Sequence, residues 1–167
     1  ESDRNLVQIV TIHRAKGLEY GVVFCPFLFD GYARGGSEGP MRAWHDDDGE
    51  LVLDYRAGAA EDKAVKARIK YEQQAEDLRL IYVALTRAVH RCYLVVGSYA
   101  SISFGKTNHT EAGRSLLNWM AAGAGMDAEA WAAHKPTPAG TDAHWRALVA
   151  ASTLDGQPVM ALDDLPD

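Results

Sequence analysis

The chain has 167 residues, of which 47% are hydrophobic and 24% charged, with two cysteines and a formal net charge of −6. That length and apolar fraction suit one core-forming domain or one and a half and exclude a disordered chain. No run approaches the roughly 18 apolar residues of a membrane span, and two cysteines supply neither a disulfide framework nor a four-ligand zinc site. The acidity also excludes a non-specific nucleic-acid binder working through a broad basic field, so any contact with DNA must rest on a few placed groups.

Residues 6–12, Leu-Val-Gln-Ile-Val-Thr-Ile, are β-branched, apolar and short, which predicts a strand buried on both faces. A polar interruption with Gly17 inside it leads to a second such run over residues 20–28, with Pro26 near its end. Two apolar strands around a connection of about seven residues predict an α/β fold with a parallel sheet and working loops at the strand ends. Residues 31–40 are glycine-rich and predict a surface loop. Asp46-Asp47-Asp48-Gly49 between two short alternating segments predicts a hairpin turn. It lacks the alternating ligand spacing and distal glutamate of a calcium loop.

From about residue 59 to 91 runs the longest helical pattern. Its first half is charged (Glu61, Asp62, Lys63, Lys66, Arg68, Lys70, Glu72), as on a solvated face. In its second half Leu78, Tyr82, Leu85 and Val89 fall on one stripe, with Arg87 opposite. Residues 92–96 predict an interior strand ended by Gly97. Residues 111–122, 127–133 and 142–151 predict short helices, with Asp127 and Asp142 as N-caps, and the acidic last dozen residues predict a loosely held end.

Two segments carry chemistry. The first is Thr11-Ile12-His13-Arg14-Ala15-Lys16-Gly17-Leu18-Glu19-Tyr20. A strand-end loop with a hydroxyl, an imidazole, an amine, a glycine and a carboxylate is equipped for phosphate and ribose. Lys16 suits a phosphate as a point charge, Gly17 permits close backbone approach, and Glu19 can accept from a sugar hydroxyl. The second is Glu76-Asp77-Leu78-Arg79-Leu80-Ile81-Tyr82-Val83-Ala84-Leu85-Thr86-Arg87-Ala88. Glu76 and Arg79 are spaced for an i,i+3 pair, whereas Arg87 has no carboxylate three or four residues away. An arginine in an apolar setting is costly unless it meets an anion, so Arg87 is expected to serve a phosphate at an interface.

Taken together, these segments resemble motifs V and VI of superfamily 1 DNA helicases of the UvrD/Rep/RecB type, and the flanking Val7-Gln8-Ile9-Val10 and Val22-Val23-Phe24-Cys25-Pro26-Phe27 look most like the RecB branch, the exodeoxyribonuclease V beta subunits. The resemblance covers residues 6–28 and 60–97. It implies a partial RecA-like domain, 2A, over residues 1–100, with a parallel sheet flanked by helices and a small hairpin insertion. Residues 101–167 would then form a helical tail. It implies ATP as cofactor, with Mg2+ held by a first RecA-like domain outside this sequence, and single-stranded and duplex DNA as partners. RecC- and RecD-like subunits are further possible partners, and no membrane is involved. By the same likeness Arg87 reaches the γ-phosphate, Glu19 meets the ribose and Gly17 belongs to the nucleotide side. Thr11 and His13 contact the DNA backbone, Lys16 links the two, and Arg79 braces its helix.

The phosphate-cradling loop and the acidic magnesium box are not in the sequence, so the segment alone is expected to be inactive; a cytoplasmic setting without secretion is expected from its composition and start. A stand-alone protein-interaction module derived from a helicase domain is the alternative. A third reading centres on Gly105-Lys106-Thr107, which resembles the end of a P-loop but has Ala100 where the loop needs its first glycine. Among the histidines no metal-ligand spacing appears. Trp119, Trp131 and Trp145 are expected to anchor helices, and Cys25 and Cys92 to be small buried hydrophobes.

Overall fold

The structure, a computed structural model, describes residues 6–29, 42–55, 63–109, 112–113, 115–134 and 136–164. The expected loop over 31–40, and Glu61, Asp62 and Glu111, lie outside them. The chain divides into two compact units, residues 1–25 with 41–94, and residues 26–40 with 95–167.

In the first unit the order is β1 (Tyr20–Cys25), β2 (Arg42–His45), β3 (Leu51–Asp54), α1 (Lys63–Leu85) and β4 (Ala88–Leu94). β1 and β4 pair in parallel, with Val23 opposite Cys92 and Phe24 opposite Tyr93, and the α1 crossover between them accounts for that orientation. The expected strand over 6–12 is corrected. The segment is extended, but it forms no ladder among the described residues, and Val7 and Ile9 are 95% and 98% exposed. Its composition suits a doubly covered strand, yet a strand exists only where a neighbour satisfies its backbone groups. β1 is shorter than expected because Pro26 has no N–H to continue the ladder.

β2 and β3 form the expected antiparallel hairpin, with Arg42 opposite Asp54 and His45 opposite Leu51. Its turn is organised by Asp46, whose Oδ1 accepts from the backbone N–H groups of Asp48 and Glu50 at 3.0 and 2.9 Å. The hairpin is clasped to α1: Glu72 accepts from the His45 backbone N–H at 2.8 Å and faces His45 Nδ1 at 3.1 Å. Arg68 reaches the Asp47 carboxylate and the Asp46 carbonyl. Arg68 and Glu72 therefore have structural partners rather than belonging to a wholly solvated face.

The long helix ends at Leu85, not near residue 91, and Arg87 sits in the turn between α1 and β4. The expected stripe is also corrected, since Tyr82 and Val89 are exposed and the buried residues are Ile81 and Ala84. Val89 fails as a helical position because it belongs to β4, where side chains alternate with period two.

The second unit holds the hairpin β5 (Ser101–Ser103) and β6 (Lys106–Asn108), followed by α2 (Leu116–Ala122), α3 (Ala128–Ala133), α4 (Pro138–Ala151) and the short hairpin β7 (Thr153–Leu154) and β8 (Gln157–Pro158). Asp127 caps α3 as expected, accepting from the Ala130 N–H at 2.7 Å. Asp142 is not a cap. α4 starts at Pro138, whose fixed φ suits the first helical position, behind a Thr137 cap, and Asp142 instead pairs with Arg146 inside the helix.

The centre of this unit is buried Asn118. Its amide donates to the carbonyls of Gly97 and Ala112 at 2.9 and 3.0 Å and accepts from Trp145 Nε1 at 2.9 Å. Trp131 and Trp145 are buried as expected, while Trp119 is half-buried and packs against Gly123, where any Cβ would collide with its ring. The end of the chain is held better than its composition suggests: Val159 donates to Ser152, and Asp164 pairs with Arg146 at 2.8 Å. Among the described residues no helix is long and apolar enough to cross a membrane.

Candidate functional site

After the extended segment the chain winds into tight turns over residues 12–17. The Ala15 N–H is shared between the carbonyls of Thr11 and Ile12, both at 3.1 Å, and Leu18 donates to Ala15 at 3.0 Å. Thr11 Oγ1 lies 3.4 Å from the Arg14 N–H. Only Ala15 of this loop is buried, and it is the pivot on which the others turn outward. Gly17 has φ +82°, and nothing lies within 4 Å of where its Cβ would stand. The glycine is therefore required by the left-handed backbone and leaves open space beside it.

Thr11, His13, Lys16 and Glu19 are all exposed, and among the described residues none of the three ionisable ones has an ion-pair partner. The loop thus presents a hydroxyl, an imidazole, an ammonium and a carboxylate unspent on the fold.

Arg87 stands beside it. The Tyr20 N–H donates to the Arg87 carbonyl at 2.9 Å, joining the end of the loop to the turn after α1. The guanidinium donates from Nε to Val83 O, from Nη1 to Leu18 O and from Nη2 to Thr86 Oγ1, each at 3.1 Å. All three acceptors are neutral, and no carboxylate lies within 4 Å of Arg87 among the described residues. Its contact with Val83 O satisfies a carbonyl that the ending helix leaves open, and a cation is favourable at that terminus. The positive charge itself is not neutralised, and two of its five N–H donors have no acceptor among the described residues. Such a group can receive an anion.

Arg79, by contrast, is spent on Glu76 at 3.0 Å, the pair its spacing predicted. Thr86 was missed as a contributor; its place directly before Arg87 was the signal available. Lys106 and Thr107 lie in β6 after a turn at Phe104 and Gly105, with φ +50° and +72°. Because a strand rather than a helix follows Gly105, no helix N-terminus stands behind it to hold phosphate, and the P-loop reading fails. Cys25 and Cys92 are half-buried neighbours in the sheet. Burial, with Cys92 beside it, pushes the Cys25 thiol up to about 11, so it is not a nucleophile at neutral pH. No group of three or more His, Cys, Asp or Glu able to hold a metal ion occurs among the described residues.

Comparison with known proteins places this arrangement in context. The sequence model of the UvrD-like helicase C-terminal domain matches residues 1–99. The RecBCD enzyme subunit RecB of Escherichia coli (strain K12) is 41% identical over 118 residues, which is 70% of this chain and 9% of that protein. RecB of Haemophilus influenzae is 41% identical over 91 residues, covering 54% of the chain and 7% of that protein. An ATP-dependent helicase/nuclease of Oenococcus oeni is 39% identical over 99 residues, 55% of the chain and 8% of that protein. The chain therefore spans less than a tenth of the length of these relatives.

Proposed function

The chain belongs to the UvrD-like helicase C-terminal domain family, and from that premise we propose that it forms part of an ATP-dependent, RecB-like DNA helicase that couples ATP hydrolysis to movement along single-stranded DNA and to duplex unwinding in repair and recombination. The observation that carries the reading is the state of Arg87: a guanidinium fixed by three neutral acceptors, with no carboxylate to balance it, tied through Leu18 O to the loop that ends in Glu19.

ATP, when bound, supplies the phosphoryl group transferred to water, and Mg2+ is held by the first RecA-like domain. Arg87 contributes positive charge and N–H donors where negative charge develops on the γ-phosphate, which lowers the barrier and distinguishes ATP from ADP. Glu19 accepts from a ribose hydroxyl. Gly17 lets the backbone near the nucleotide, Thr11 and His13 hold the phosphate backbone of single-stranded DNA, and Lys16 stands between the two ligands.

Opening and closing of the cleft between two motor domains turns hydrolysis into displacement. Residues 1–100 form the end of domain 2A, residues 101–167 a helical tail, and RecC- and RecD-like subunits are the expected company in the cytoplasm. The exposed Val7, Ile9 and Phe24 support this reading, because an interior sheet looks so when the rest of the motor supplies its covering. The 167 residues alone are expected to turn over no ATP, since each ligand would find half a site.

The test is Arg87→Ala in the complete polypeptide that carries this domain. ATP turnover in saturating single-stranded DNA is expected to be lost while DNA binding persists; turnover near the unsubstituted level would overturn the reading.

A further inference from the structure

Three acceptors hold the Arg87 guanidinium, and Thr86 Oγ1 is the only side-chain atom among them. The geometry of that hydroxyl is itself determined. Thr86 Oγ1 lies 2.8 Å from Tyr82 O and 3.3 Å from Val83 O, so its single proton is committed to the end of α1. A threonine hydroxyl has one proton and two lone pairs; with the proton spent, Arg87 Nη2 meets a lone pair of fixed direction. The β-branched side chain adds to this, because two heavy atoms on Cβ restrict χ1.

The guanidinium is planar and rigid, so its orientation is a matter of how many points anchor it. Val83 O and Leu18 O are two, and two anchors leave the plane free to swing about the line joining them. The third, Thr86 Oγ1, removes that freedom and leaves two N–H donors in a fixed direction.

We infer that Thr86 is a positioning residue for Arg87: its hydroxyl, locked by donation to Tyr82 O, sets the guanidinium plane so that the unengaged N–H edge is ready for an anionic oxygen. The inference rests on the proposed role of Arg87 at a triphosphate. Its consequence is specific. Loss of the hydroxyl should slow the chemical step, where orientation counts, and leave ground-state nucleotide affinity nearly untouched.

The experiment compares Thr86→Val, Thr86→Ser and Arg87→Ala in the complete polypeptide, with ATP, Mg2+ and saturating single-stranded DNA. Valine keeps the shape and removes the acceptor, whereas serine keeps the acceptor. A hydrogen bond to a charged group is worth about tenfold or more, so Thr86→Val is expected to lower kcat about tenfold with KM for ATP within about twofold. Thr86→Ser is expected to recover kcat to within about threefold on the same reasoning. If Arg87→Ala is inactive while Thr86→Val turns over normally, the inference falls and the reading of Arg87 stands. Serine behaving no better than valine would also overturn it, since the hydroxyl would then not be the active feature, and this holds even if valine disturbs the end of α1. Normal turnover in Arg87→Ala overturns both.

Discussion

Arg87 and Leu18, 69 positions apart in the chain, are joined by one hydrogen bond of 3.1 Å from the guanidinium to the carbonyl directly before Glu19. The Tyr20 N–H donates back to the Arg87 carbonyl at 2.9 Å. Two segments that the sequence separates by a hairpin and a helix of 23 residues thus share a small hydrogen-bonded frame. A displacement of the arginine has a direct route to the loop carrying Thr11, His13 and Lys16. That is the physical requirement for coupling a nucleotide site to a DNA site within one domain.

Gly17 tests the loop. With φ +82° and open space around it, a side chain there meets backbone strain and no collision. Gly17→Asn, which tolerates the left-handed region, is expected to retain most DNA-stimulated ATP turnover, and Gly17→Val to lose most of it. Equal activity of the two variants in the complete polypeptide would show that the left-handed turn is dispensable.

Asn118 tests the second unit. Asn118→Ala removes two donors' worth of bonding to Gly97 and Ala112 and leaves Trp145 Nε1 unpaired in a buried place. The expected loss is about 2–4 kcal/mol, read by urea denaturation with unchanged m-value. A loss below about 0.5 kcal/mol would mean that the network contributes little beyond what water supplies.

The clasp between the hairpin and α1 depends on pH through Glu72. The backbone N–H of His45, then its ring, hold the Glu72 carboxyl below its ordinary value of 4.5. A carboxyl lowered in the folded state contributes stability that is present above 4.5 and is lost as pH falls through the lowered value. Amide exchange at His45 is therefore expected to quicken as the pH drops below 4.5, and Glu72→Gln to reduce that pH dependence. Exchange at His45 with the same acid dependence in both proteins would dissociate the clasp from Glu72.

Cys25 gives the opposite sign. Burial first, then Cys92, push its thiol from 9.0 up to about 11, so the folded protein keeps the proton longer than the unfolded chain. The associated stability is complete below 9.0 and is lost as pH rises toward 11. At a pH of about 7.5 alkylation of Cys25 by iodoacetamide is expected to be about a hundredfold slower in the folded chain than in urea, in line with the thiolate fraction. Comparable rates in the two states would mean that the thiol is open to solvent.

Lys106 completes the set. In a hairpin strand it has no phosphate to serve, and Lys106→Ala is expected to leave ATP affinity of the complete polypeptide unchanged in a nucleotide titration. A large loss would restore the P-loop.

Much was legible in the chain itself. Pro26 ends a strand because it lacks an N–H, Asp46 and Gly49 specify a turn, and Asp127 caps a helix because a short acceptor precedes bare backbone donors. These are local effects, decided within about four residues. The Glu76–Arg79 pair belongs with them, as does the identity of the two motif segments.

What local pattern could not decide was where elements stop and which side chains meet. The pattern around Val89 fits a helix as well as a strand, and pairing with β1 resolved it in favour of β4. The 6–12 segment has a strand's composition without a ladder among the described residues, since a strand is made by its neighbours. Sequence alone determined that Arg87 has no carboxylate within a helical turn. Only the tertiary structure decided that Leu18, Val83 and Thr86 hold it with neutral oxygens, because a charge is neutralised or left available by what is close in space, and distance along the chain does not set that.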